Sequence, residues 1–110
     1  MSKTETIRDQ NDRLRRGDET IPGRILITSG LQALIASSGR QIEDLAGVVA
    51  DFDAFDEAND PNGEHDFGQF DFEGQSCFWK VDYYNLALDG GSEDPSDLTQ
   101  THRVLTIMLA

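Results

Sequence analysis

Thiols are almost missing from this chain: Cys77 is the single cysteine in 110 residues. That excludes an internal disulfide and a zinc site built on several thiolates. Long apolar runs are missing too. Residues 1–16 are polar throughout, so neither a signal peptide nor a transmembrane span is predicted, and a reducing, cytoplasmic setting is expected. Positive charge is scarce: 9 Lys and Arg stand against 21 Asp and Glu, for a net charge of −12. Phosphate backbones and anionic lipids attract basic surfaces, so direct binding to nucleic acid or membrane is disfavoured. A basic protein partner is favoured instead. The shortage is sharpest between Gln41 and Trp79, which contain no Lys or Arg and eleven Asp or Glu. Catalytic signatures are also wanting. There is no G-x-S-x-G elbow and no glycine loop of the phosphate-cradling type. Asp66-Phe67-Gly68 matches a kinase magnesium tripeptide, but the other kinase motifs are absent from a chain of this length.

The length fits one domain with one modest core. Thr4–Arg16 reads as a short polar helix with Ile7 and Leu14 as its only large apolar residues. Residues 1–16 carry five basic and three acidic groups, a net +2, which leaves −14 on the other 94 residues. The chain therefore divides into a basic N-terminal helix (1–16) and an acidic body (17–110), onto which the helix is expected to fold back. Arg24–Thr28 reads as a short strand and Leu31–Ala36 as a short helix closed by Ser37-Ser38-Gly39. Gln41–Glu57 is the clearest helix. Ile42, Leu45, Val48, Val49, Phe52 and Phe55 fall at spacings of three and four and form one apolar stripe. Gly47 suggests a close approach to the sheet. Asp56 and Glu57 then sit at the helix C-terminus, where the dipole disfavours anions. A hairpin follows, with Phe70 and Phe72, a turn at Glu73-Gly74-Gln75, and alternation of Cys77, Trp79, Val81 and Tyr83. Asp89–Gln100 reads as a surface loop. Arg103–Leu109 is apolar on both parities, as in an interior strand. The expected class is α+β: a mostly antiparallel sheet of about four strands with the main helix on one face.

Chemistry concentrates in Asn59–Gly68, which packs three acids, a histidine, two glycines and a proline into ten residues. Asp60, Glu64, His65 and Asp66 are candidate ligands for a divalent metal, the only cofactor the sequence suggests. A calcium loop is excluded, because aligning Gly63 on its central glycine puts Ala58 first and Gln69 last. His65 with Glu64 or Asp66 is also a candidate acid–base pair. The structural alternative is a loop whose Asp and Asn side chains cap the neighbouring helix and strand. A broader signal is the row of carboxylates Glu43, Asp44, Asp51, Asp56, Glu57, Asp60 and Glu64. Carboxylates three or four apart on a helix stand roughly 5–6 Å from one another. That is comparable with the phosphates of a DNA strand. The leading expectation is a non-enzymatic protein that mimics nucleic acid and occupies a basic site on a partner, such as a restriction enzyme, a CRISPR effector or a repressor. A metal-dependent enzyme or binding module is the second. The third is a dimerising module that uses Phe78 and Tyr84 on the sheet face opposite the helix.

Four stretches together carry a family likeness: Asn11-Asp12-Arg13-Leu14-Arg15; Asn59-Asp60-Pro61-x-Gly63-Glu64-His65-Asp66-Phe67-Gly68; Phe78-Trp79-Lys80-Val81-Asp82-Tyr83-Tyr84; and Arg103 through Ala110. In these the chain resembles the domain of unknown function 3768 family, small proteins mostly of alphaproteobacteria and often borne on mobile elements. The resemblance implies a bacterial cytoplasmic setting and favours anti-defence or maintenance roles over housekeeping metabolism. It implies no activity, cofactor or catalytic residue.

Overall fold

The structure is a computed structural model and describes residues 1–110. Helix α1 spans Lys3–Arg15, strand β1 Gly23–Ile27, helix α2 Ser29–Ser38 and helix α3 Ile42–Asp51. Strands β2 (Phe67–Phe72), β3 (Gln75–Tyr84) and β4 (His102–Leu109) complete the chain. The four strands form one sheet in the order β1-β4-β3-β2. The β2–β3 and β3–β4 pairs are antiparallel, and β1 runs parallel to β4. The α+β class and the four strands are as expected, and β4 lies inside the sheet as its two-sided apolar pattern requires.

The sheet has one covered face and one open face. Trp79, Val81, Leu105 and Ile107 alternate along β3 and β4 and join Leu14 of α1, Leu31 and Ile35 of α2, and Leu45 and Val49 of α3 in one core. Cys77 belongs to this core and is fully buried, so burial pushes its thiol pKa up and it packs as a small hydrophobe. The other parity, with Phe78, Lys80, Tyr84, Val104 and Met108, is only partly covered. The hairpin turns at Glu73 and Gly74, which have φ of 51° and 76°. Two successive positive φ values match the twist of a two-residue hairpin.

The main helix is shorter than its sequence suggests. It stops at Asp51, so Asp56 and Glu57 lie in the following loop and not at a helix terminus. Three physical causes coincide there. The carboxylates beyond Asp51 oppose the dipole. The Arg15 guanidinium takes the last carbonyls, with Nη1 2.7 Å from Val49 O and 2.8 Å from Phe52 O. Phe52 and Phe55 turn inward and meet Trp79 edge-on, at ring distances of 5.6 and 6.1 Å. The apolar stripe narrows accordingly: Leu45 and Val49 are buried, while Ile42 and Val48 remain 54% and 39% exposed.

Two glycines differ sharply. Gly68 is part of β2 and faces Trp79 across the pair. A Cβ there would lie 2.5 Å from Trp79 Nε1 and 2.8 Å from the Phe52 ring. The glycine of Asp66-Phe67-Gly68 is thus required by packing. Gly47 shows no close approach, since a Cβ there would meet nothing within 4 Å. Gly47→Ala should therefore stabilise the protein by about 0.5–1 kcal/mol, through the backbone entropy that glycine loses in a helix. A urea melt checks this, and a destabilised variant would refute it.

Candidate functional site

Helix α1 docks on the body through polar groups more than apolar ones. Ser2 and Glu5 form a capping box that starts it. Ile7 and Leu14 are buried, but so are Gln10, Asn11 and Arg15. Asn11 is the centre. Its Nδ2 donates to Glu64 O (3.0 Å) and to the Tyr83 hydroxyl (2.8 Å), and its Oδ1 accepts from Arg103 Nε (2.8 Å). Arg103 is fully buried with no carboxylate partner. Its Nη2 donates to Gln10 Oε1 (2.7 Å) and Pro95 O (2.8 Å), and its guanidinium stacks 5.1 Å from the Tyr83 ring. Burial lowers its pKa. Neutral amide and carbonyl acceptors replace a counter-ion here, and the nearest negative charge arrives through Tyr83. That phenol is driven up chiefly by burial, stays protonated, and donates to Glu64 Oε1 at 3.0 Å. The network joins α1 to the ends of β3 and β4 and to both long loops.

His65 forms the second half of the site. Its Nδ1 lies 2.9 Å from Asp12 Oδ1, and its Nε2 lies 3.7 Å from Asp60 Oδ2. Its ring stacks on Phe55 at 3.7 Å, with the planes 3° apart. Asp12 Oδ1 also accepts from Arg15 Nη2 at 2.9 Å. The His65 backbone is in the left-handed region, φ 54°, where its N–H donates to Asp60 Oδ1 at 3.0 Å. A non-glycine residue in that region costs energy that the surrounding contacts must offset. Here the stacked ring and the flanking carboxylates hold it.

The four residues read as candidate metal ligands therefore have separate commitments. Asp60 binds the His65 amide, Glu64 binds Tyr83, and His65 lies between Asp12 and Asp60. No group of three or more His, Cys, Asp or Glu side chains converges to hold one ion. Asp66 stands apart, half-buried with no side-chain hydrogen bond to a neighbouring residue. Burial raises its pKa, and the Asp60 and Asp82 charges add to that. A carboxyl whose folded pKa lies above its unfolded value favours the folded state when protonated. Stability is then lost as pH rises from the unfolded to the folded pKa, and the full penalty is present at pH 7. Asp66→Asn should raise the melting temperature by a few degrees at pH 7, and the gain should vanish as pH falls below about 4. Thermal melts at the two pH values check this. An equal effect at both would show that the charge is not the cause.

The predicted acidic row splits in two. Glu43, Asp44, Asp51, Asp56 and Glu57 are exposed, whereas Asp60 is buried and Glu64 half-buried in the network. Asp44 caps its own helix by accepting from Gln41 N, and Asp56 accepts from the Ala58 and Asn59 amides. Glu43, Asp51 and Glu57, with Asp53 beside them, have no cationic partner. The ion pairs of the protein lie elsewhere, at Asp94, Asp9, Asp18, Asp12, Glu73 and Asp82.

Residue-type reasoning overlooks Asn11, Asp12, Arg15, Tyr83 and Arg103 as parts of one site. Two signals were available. Arg103 shares strand parity with Leu105 and Ile107, which marks it as buried. Asn11 and Asp12 also stand four and three residues before Arg15, the spacings that put each of them beside it on the helix. The first motif stretch lies in α1 and the other three meet it there, so the motifs describe one junction. No curated protein and no solved structure matches the chain. The match to a known family begins in β1 and runs to the last residue, leaving the α1 half of the junction outside it. Over residues 27–110 the chain fits the model described as Protein of unknown function (DUF3768), and it belongs to that family.

Proposed function

We propose that the protein is a non-enzymatic binding protein that places its acidic surface in a basic site of a protein partner. The site meant is one that otherwise holds nucleic acid, as with inhibitors of the anti-restriction or anti-CRISPR type. The observation that carries this is the exposed, cation-free patch on α3 and the loop after it: Glu43, Asp51, Asp53, Asp56 and Glu57. Uncompensated carboxylates on a fixed scaffold repel one another at a cost to folding, and a basic partner relieves that repulsion. Ile42 and Val48, exposed on the same helix, add apolar contact that a purely solubilising surface would not need.

Replacing Glu43, Asp51, Asp53 and Glu57, whose side chains hold no local structure, by Lys together should abolish capture of a basic partner from a bacterial lysate. The melting temperature should be unchanged or higher. Wild-type capture should persist at about 0.1 M salt and fail near 0.5 M, since the Debye length shrinks below the charge separations involved. Retention of the same proteins by the reversed variant would rule the reading out.

A further inference from the structure

The sheet has two free edges, and they are built differently. At the β2 edge an acidic chain displays Asp71, and Glu73 follows in the turn. Charges on an edge strand discourage pairing with another chain. The β1 edge, Gly23-Arg24-Ile25-Leu26-Ile27, has no carboxylate. Its two central apolar residues, Ile25 and Leu26, are 46% and 47% exposed.

The backbone direction of β1 follows from its bonds to β4. Pro22 O accepts from Arg103 N, and Thr28 N donates to Ile107 O. Alternate residues point alternate ways, so Arg24 and Leu26 share that inward direction. Gly23, Ile25 and Ile27 then direct their N–H and C=O groups outward. The Gln32 side chain, which donates to Ile27 O at 2.7 Å, confirms the direction. The Gly23 and Ile25 groups have only solvent.

All three surface cavities border this strand. Two, of about 370 and 280 Å³, flank Ile25 on the helix-covered face. The third, of about 280 Å³, lies on the open face beside Leu26, Tyr84 and Val104. An added strand sends alternate side chains to opposite faces, which is where these cavities are.

We infer that β1 pairs antiparallel with β1 of a second copy, about a twofold axis at Ile25, to make a continuous eight-stranded sheet. The sequence is self-complementary in that register. Ile25 faces its symmetry mate as a hydrogen-bonded pair, Gly23 faces Ile27, and Arg24 faces Leu26. About six backbone hydrogen bonds result, of which the two to Ile27 O share that carbonyl with Gln32 Nε2 through its second lone pair. Arg24, the one charge on β1, never meets its own copy, so this is the edge where two chains of −12 repel least. Five paired residues fall short of the roughly 1,200 Å² of a stable interface, so the dimer forms reversibly at high concentration. Because net repulsion opposes it, salt strengthens it. Binding through the acidic patch responds to salt in the opposite sense, and the two can fail independently.

The test is sedimentation velocity on the full chain, from about 5 to about 500 μM, at about 0.05 and 0.5 M salt. Dimer should grow with concentration and with salt. Ile25→Pro removes an outward N–H and leaves the bonds to β4, and Leu26→Lys sets like charges opposite each other. Each should weaken association at least about tenfold, whereas Phe78→Lys on the open face should not. If Ile25→Pro does not fold, Leu26→Lys decides alone. A monomer throughout, or a dimer indifferent to the β1 variants, overturns the inference.

Discussion

Removing residues 1–16 should leave a chain with no cooperative thermal transition. The loss has two sources. Ile7 and Leu14 are 6% and 5% exposed, and burying each stabilises by about 1.5–3 kcal/mol. The polar loss is larger. Arg103 would lose Asn11 and Gln10, and the Val49 and Phe52 carbonyls would lose Arg15. Each hydrogen bond to a charged group that is lost costs about 1.5–3 kcal/mol. Together these reach the roughly 5–15 kcal/mol that holds a small domain folded. Calorimetry of the truncated chain is the check. A sharp transition within about 5 °C of the full-length value, less than 1 kcal/mol of stability lost, would make α1 a detachable contact arm.

Arg15→Ala should destabilise the protein by about 3–5 kcal/mol, more than any other single change at α1. The side chain is 1% exposed and makes three kinds of contact at once. It caps α3 through the Val49 and Phe52 carbonyls and pairs with Asp12 at 2.9 Å. Its guanidinium lies 4.9 Å from the Trp79 ring and 5.4 Å from the Phe55 ring. Lysine cannot replace it, because a point charge lacks the planar fork that reaches carbonyls and carboxylate together. Arg15→Lys should therefore recover less than half of the loss. Arg16→Ala, one residue on and exposed, should stay within about 0.5 kcal/mol. Urea denaturation of the three variants tests the set. Equal small effects at positions 15 and 16 would contradict the clamp.

Period and composition alone determined much of this protein. The alternation around Trp79 identified the face of β3 that is buried, because strand side chains change sides at every residue. The two-sided apolar pattern of Arg103–Leu109 agrees with the inner place of β4, because side chains on both faces of an inner strand pack beside those of a neighbouring strand on each side. The charge count located a long cation-free stretch with no reference to the fold. Other features depended on contacts between residues far apart in the chain. The helix from Gln41 was cut at Asp51 by Arg15, some 35 positions earlier, and local periodicity carries no information about such a partner. The parallel β1–β4 pair is likewise a choice of neighbours that no strand announces in its own sequence. Tertiary structure also decided which acids are surface and which are interior. Glu57 and Asp60 look alike in the chain, yet one is exposed while the other is folded against His65. The physical reason is the same in each case. Spacing fixes which side chains share a face, but burial, charge pairing and hydrogen-bond satisfaction depend on what that face meets.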